Sequence, residues 1–141
     1  MIAVLYLPSA LRAKIEHEAR VAFPNECCGL IEGARDGETV DAVALHPAKN
    51  LSNEVDRFEI NPADHFAALR AGRENGRAII GCYHSHPNGN PEPSERDRAG
   101  AIDEGFIWLV CGVRAEVTQI GAFIFENGGF RALKLLESAS A

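Results

Sequence analysis

Apolar and polar positions change period several times along this chain, and each change marks an element. Met1 to Leu7 is a mostly apolar run of strand length, closed by Pro8. Ser9 offers an N-cap, and Leu11, Ile15, Ala19 and Ala22 recur near one helical face before Pro24, so a helix lying on a sheet is expected. Cys28-Gly29-Leu30-Ile31-Glu32-Gly33 reads as a strand, which the turn Arg35-Asp36-Gly37-Glu38 folds back into a second through Val40, Val43 and Leu45. Residues 48–56 are polar and loop-like, and Arg57-Phe58-Glu59-Ile60 alternates as a short strand. Asn61, with Pro62 at the first helical position, opens a second helix with Phe66 and Leu69 as its expected buried side and Gly76 as its stop.

Ala78-Ile79-Ile80-Gly81-Cys82-Tyr83 lacks alternation, as expected of a central strand covered on both faces, and it delivers His84 at its end. The segment from Pro87 to Pro93 holds Asn88-Gly89-Asn90 and cannot be regular, whereas Ser94-Glu95-Arg96-Asp97 begins a helix expected to reach about Gly105. Strands follow from Phe106 to Cys111 and from about Val117 to Phe125. The hairpin turn Asn127-Gly128 then leads into a last strand through Phe130, Leu133 and Leu135. No internal repeat, linker or low-complexity tract interrupts the pattern, so one domain over 1–137 is expected, with 138–141 as a disordered tail.

Composition narrows the partners. The chain has 141 residues, 46% hydrophobic and 24% charged, with a formal net charge of −6. No basic run is present, which argues against nucleic acid as a partner, because such binding draws on clustered Lys and Arg. No stretch approaches membrane-spanning length, and the apolar N-terminal run lacks the basic lead-in of a signal peptide. Cys27, Cys28, Cys82 and Cys111 show no CxxC spacing and two are adjacent, so they read as reduced, buried thiols of a cytoplasmic protein, without chemistry of their own.

Chemistry concentrates around residues 84–97. In an extended chain His84 and His86 project to the same side and can converge on one ion, although an isolated His-x-His is more often incidental. Ser94-x-x-Asp97 is close to a capping box whatever the protein does. The same carboxylate, in a first helical turn reached by a loop from the histidines, can supply a third ligand. Two nitrogens and one oxygen suit Zn2+, and three protein ligands leave a fourth position for a water whose pKa zinc lowers from ~15.7 to ~7.

Glu26, followed by His84-Ser85-His86-Pro87 and then Pro93-Ser94-Glu95-Arg96-Asp97, resembles the JAMM (MPN-plus) metalloprotease family. That pattern is a distant Glu, His-Ser/Thr-His, seven residues (here Pro87 to Pro93), and Ser-x-x-Asp. The order of elements fits from about Ile2 to Leu135. The resemblance implies an α/β fold, a single three-layer domain with a mixed β-sheet flanked by helices, similar to the cytidine deaminase architecture. It implies His84, His86 and Asp97 as zinc ligands, Glu26 as general base and Ser94 as stabiliser of the oxyanion. On sequence alone Glu26 would be an ordinary solvated residue before a strand.

The chain lacks the insertions with which some members grip ubiquitin chains, and so resembles the compact prokaryotic type. The expected reaction is zinc-dependent hydrolysis of a peptide or isopeptide bond after the C-terminal Gly-Gly tail of a ubiquitin-like or sulfur-carrier protein. The product is a freed lysine-linked protein, or cysteine released from the carrier. Asn50 and Arg57-Phe58-Glu59-Ile60 lie where related enzymes present an edge to such a tail. The alternatives are a non-catalytic MPN-type binding or scaffold domain and a peptidase of phage-tail or cell-wall processing. A nucleoside deaminase is set aside, because His-x-Glu and Pro-Cys-x-x-Cys are missing. A homodimer is compatible with the sequence. His17, His46 and His65 are read as structural or exposed, and Trp108 as core.

Overall fold

The computed structural model describes residues 1–138. Its elements are β1 (Val4–Tyr6), α1 (Ser9–Ala22), β2 (Cys28–Asp36), β3 (Thr39–Ala48), α2 (Pro62–Glu74), β4 (Ala78–His86), α3 (Glu95–Gly100), β5 (Ile107–Arg114), β6 (Val117–Glu126), β7 (Gly129–Ala132) and β8 (Lys134–Leu136). The strands form one mixed sheet in the order β7-β6-β5-β4-β2-β3-β1-β8. β4 runs parallel to β5, and β1 runs parallel to both β3 and β8, while the remaining pairs are antiparallel.

Side-chain alternation divides the core in two. On one face Ile31, Tyr83, Leu109 and Val113 pack against Leu11, Ile15 and Ala19 of α1. On the other, Leu30, Cys82, Trp108 and Phe125 pack with Ala68 of α2. Strands β4 and β5 are buried on both sides, which is why their sequences read as unbroken apolar runs. The result is the expected α/β domain of three layers. All four cysteines are free and buried. Burial pushes the thiols of Cys27, Cys28 and Cys111 up to about 12 and that of Cys82 well above its ordinary value, so they act as small apolar fillers.

Several local expectations are corrected. Ser9 is the first residue of α1, not its cap; Pro8 holds the cap position, and its carbonyl accepts from the N–H groups of Leu11 and Arg12. Asn61 does cap α2, its Oδ1 accepting from the Ala63 N–H at 2.9 Å, and Gly76 follows with φ +69°. The buried side of α2 is Ala68 and Gly72, however, and Phe66 is 68% exposed. Small residues let the helix approach closely: a Cβ on Gly72 would stand 3.3 Å from the Arg77 carbonyl oxygen. Residues 57–60 form no strand and pair only through the bridge Asn50–Ile60.

Strand β4 continues through His86, so both histidines lie within it. Helix α3 stops at Gly100 rather than Gly105, because Ala101 turns to extended backbone. The expected last strand is two strands. β7 pairs with β6, but β8 pairs with β1 at the opposite edge, and Leu133 between them donates to the Ala122 carbonyl. Residues 132–134 thus link the two ends of the sheet, which curls around α1. Residues 139–141 of the expected tail lie outside the described residues.

Glu32 is the one fully buried carboxylate among the described residues, at 0% exposure. Burial alone would raise its pKa, but hydrogen bonds from His46 (2.9 Å), Arg77 (2.7 Å) and Asn75 (3.4 Å) outweigh that and hold it below the ordinary 4.5. A carboxyl lowered by folding stabilises the fold above its unfolded value, and that contribution is lost as pH falls through the lowered folded value. Glu32→Gln should therefore cost about 2 kcal/mol at pH 7 and much less at pH 3. Denaturant unfolding of both chains at the two pH values measures it; equal losses would show that the charge of Glu32 contributes nothing.

Candidate metal centre

Strand alternation sends His84 and His86 to the α2 side of the sheet and Ser85 to the α1 side. Both histidines are buried, at 0% and 5% exposure. Their Nε2 atoms are 3.0 Å apart, and Asp97 Oδ2 lies 3.0 Å from that of His84 and 2.9 Å from that of His86. His86 Nδ1 donates to the Asn90 carbonyl at 2.9 Å, so in the neutral ring Nε2 carries the lone pair that faces the cluster. Two imidazole nitrogens and a carboxylate oxygen are a borderline-to-hard donor set suited to a divalent ion. A tetrahedral zinc with bonds of ~2.0–2.1 Å spaces its ligands ~3.3 Å apart, a few tenths beyond these separations, so the residues fit the metal.

Asp97 reaches the histidines because of its helix. Ser94 Oγ accepts from the Asp97 N–H at 3.0 Å, and the Ser94 N–H donates to Asp97 Oδ2 at 2.9 Å, a complete capping box. The oxygen that closes the box is the one that faces the imidazoles. Burial would raise the Asp97 carboxyl, but its contacts with His84 and His86 and the hydrogen bond from the Ser94 N–H hold it far below the carboxylate range, so it is ionised. The loop from His86 to Ser94 lies flat over β5 and β6, where a Cβ on Gly112 would collide with the Gly89 carbonyl and one on Gly121 with that of Pro91.

Glu26 precedes β2 and is 4% exposed, with Oε1 buried and without a hydrogen-bond partner among the described residues. Glu26, His84 and His86 each place a ligand atom within 4.8 Å of the others. Distance alone therefore makes Glu26 a rival to Asp97 as the third ligand, but Asp97 Oδ2 lies within 3.0 Å of both imidazoles, whereas Glu26 Oε1 has no hydrogen-bond partner among the described residues. Burial pushes the Glu26 carboxyl up to about 8 against the pull of His86, poising it for proton exchange near neutrality.

The walls of the site make contacts that the sequence does not announce. Phe58 stacks on His84 with centroids 4.3 Å apart and planes at 23°, and Trp108 meets the same ring edge-on at 5.6 Å. Trp108 is core, as expected, but it also lines a cavity of about 680 Å³ beside Asp97, together with Phe58 and Ile60. Across the cleft, Arg96 of α3 pairs with Glu54 and Asp56. Asn50 binds four backbone groups: its Nδ2 donates to the carbonyls of Glu26 (2.9 Å) and Arg57 (3.1 Å), and its Oδ1 accepts from the N–H groups of Ser52 and Glu59 (both 2.9 Å). The sequence signals for these are slight: alternation at Phe58, and an Asn in a polar stretch. His65 lines the same cavity as Asp97 and Trp108, and His17 lines a hollow that also reaches Glu26, but neither is among the residues that converge with His84 and His86.

Residues 8–124 match the family described as prokaryotic homologs of the JAB domain. The chain is 35% identical over 96 residues to a desampylase of Haloferax volcanii, covering 67% of this chain and 68% of that protein. It is 32% identical over 134 residues to a probable TtuB-protein conjugate cleaving protease of Thermus thermophilus, covering 94% of this chain and 84% of that one. Among solved structures, the solution structure of a Desulfitobacterium hafniense protein matches with a TM-score of 0.85 at 27% identity, over 94% of this chain and 91% of that one. With its strand order, three layers and His-Ser-His and Ser-x-x-Asp segments, the chain belongs to the compact prokaryotic branch of the JAB-domain (JAMM, MPN-plus) family.

Proposed function

We propose that this hydrolase cleaves a peptide or isopeptide bond after the C-terminal Gly-Gly tail of a ubiquitin-like or sulfur-carrier protein, with zinc held by His84, His86 and Asp97. The observation that carries the reading is the convergence of the two Nε2 atoms and Asp97 Oδ2 within 3.0 Å, with the buried Glu26 carboxylate beside them. The names of the haloarchaeal and Thermus relatives support the substrate class.

Bound at this site, zinc would supply Lewis acidity and a water acidic enough to attack at neutral pH. Glu26 is placed to accept a proton at its carboxylate and to return it to the leaving amine, in a setting whose burial raises its affinity for the proton. Ser94 Oγ is engaged as an acceptor by the Asp97 N–H, which leaves its own hydrogen free to donate to the oxyanion. Ser94, Glu26 and His86 border one small cleft of about 90 Å³, and Phe58 shields His84 from water.

The tail has a natural edge in residues 57–60. Glu59 and Asn61 turn their backbone groups toward Asn50: the Leu51 N–H donates to the Glu59 carbonyl and the Asn61 N–H to that of Lys49. Alternation turns those of Phe58 and Ile60 the other way, free to pair with an added strand. All four thiols are unpaired, which accords with a reducing cytoplasm. No helix among the described residues is long and apolar enough to cross a membrane.

Incubating the protein with carriers that bear a peptide or lysine-linked partner after Gly-Gly, with and without chelator, tests the reading by product mass. Cleavage after the second glycine should require zinc and disappear with chelation. A zinc-loaded protein that binds such carriers without cleaving them would be the scaffold instead.

A further inference from the structure

The Glu26 carboxylate is aimed by its backbone, since Oε1 is buried without a hydrogen-bond partner among the described residues. Two contacts hold that backbone. Asn50 Nδ2 donates to the Glu26 carbonyl at 2.9 Å. At the next residue the Cys27 N–H donates to Ser85 Oγ at 2.8 Å, while the Ser85 N–H donates to the Cys27 carbonyl at 3.1 Å.

The second contact departs from a regular sheet. β2 and β4 are antiparallel with Cys28 opposite His84, which sets Cys27 opposite Ser85. Such a pair would exchange both bonds between backbone groups. Here a side-chain hydroxyl takes one of them, and β2 begins only at Cys28. Ser85 is 0% exposed, on the apolar face formed by Cys27, Tyr83 and Cys111, where a hydroxyl is costly unless it has a defined partner.

We infer that Ser85, between the two histidines but on the reverse of the sheet, is a positioning residue: its hydroxyl draws off the Cys27 amide, opens the ladder at that point and sets where Glu26 stands on the histidine face, to which alternation directs it. The inference rests on the role given to Glu26 above. Without the hydroxyl, the Cys27 N–H can close onto the backbone carbonyl of position 85, extending β2 and displacing Glu26 from its place beside the histidines.

Ser85→Ala should lower kcat by up to about 10²-fold, the loss expected for a misplacement near 1 Å, with KM and zinc affinity unchanged. Ser85→Thr, which keeps the acceptor, should restore kcat. Adding Ser85→Ala to Glu26→Gln should lower kcat no further, because both act through one carboxylate. In the metal-free chain, hydrogen exchange at the Cys27 amide should change with Ser85→Ala and revert with Ser85→Thr. If the Ala variant fails to fold, Ser85→Cys, close in size but a weak acceptor, replaces it in each comparison. Wild-type kcat in Ser85→Ala, while Glu26→Gln is inactive, overturns this inference alone. Active Glu26→Gln overturns the reading on which it rests. A loss in zinc affinity and melting temperature that Thr does not rescue would make Ser85 merely structural.

Discussion

Glu26→Gln is expected to keep a full equivalent of zinc and to lose about 10²–10⁴-fold in turnover. The substitution preserves the shape of a side chain that is 4% exposed, and Oε1 has no hydrogen bond to break among the described residues. What it removes is the ability to take up and return a proton. Burial already opposes the charged form and pushes the carboxyl up, so the neutral amide should also leave the melting temperature unchanged or raise it. Zinc content after dialysis, kcat on a tail-linked substrate and a thermal melt together decide the matter. If zinc is lost while the fold persists, Glu26 is a ligand and the assignment of Asp97 must be revised.

Asp97→Asn is expected to weaken zinc binding by more than the ~10–100-fold that loss of an outer-shell partner brings, since it removes the charged oxygen that faces both imidazoles. The amide oxygen can still accept from the Ser94 N–H, so α3 should persist. Asp97→Ala removes the ligand and the helix-side contact together, and should cost a further ~0.5–2 kcal/mol in stability. Competition with a chromophoric chelator gives the affinity, and urea unfolding of the metal-free variants gives the stability difference. An Asp97→Asn chain that binds zinc as tightly as the wild type would leave the capping box as the sole work of this residue.

Parts of the site were legible because they depend on local geometry. Alternation in a strand puts His84 and His86 on one side wherever the strand lies, and a helix start fixes Asp97 relative to Ser94. Glu26 was legible only through resemblance, because the pairing of Cys28 with His84 brings it to the site from far away in sequence. Asn50 and Phe58 were expected, through resemblance, as part of an edge for the tail, but their contacts with Glu26 and His84 were not legible, because the path of the 48–60 loop follows no period. The misreading of α2 has a different cause. The large apolar Phe66 and Leu69 are the expected buried side, whereas the sheet accepts the helix through the small Ala68 and Gly72. α3 was drawn too long because nothing in residues 101–105 announces that Ala101 is extended.

The glycines beneath the 87–93 loop turn the spacing of the motif into a measure of length. From the end of β4 the chain crosses β5 above Gly112, reaches β6 at Gly121 and returns to set Asp97 against His84. With neighbouring strands ~4.8 Å apart, two spacings out and two back come to ~19 Å. The eight steps from His86 to Ser94, at no more than ~3.3–3.6 Å each, reach ~26–29 Å. The loop therefore works as a ruler with about two residues of slack: an insertion can arch away from the glycines, but removing three residues would leave the helix short of the histidines.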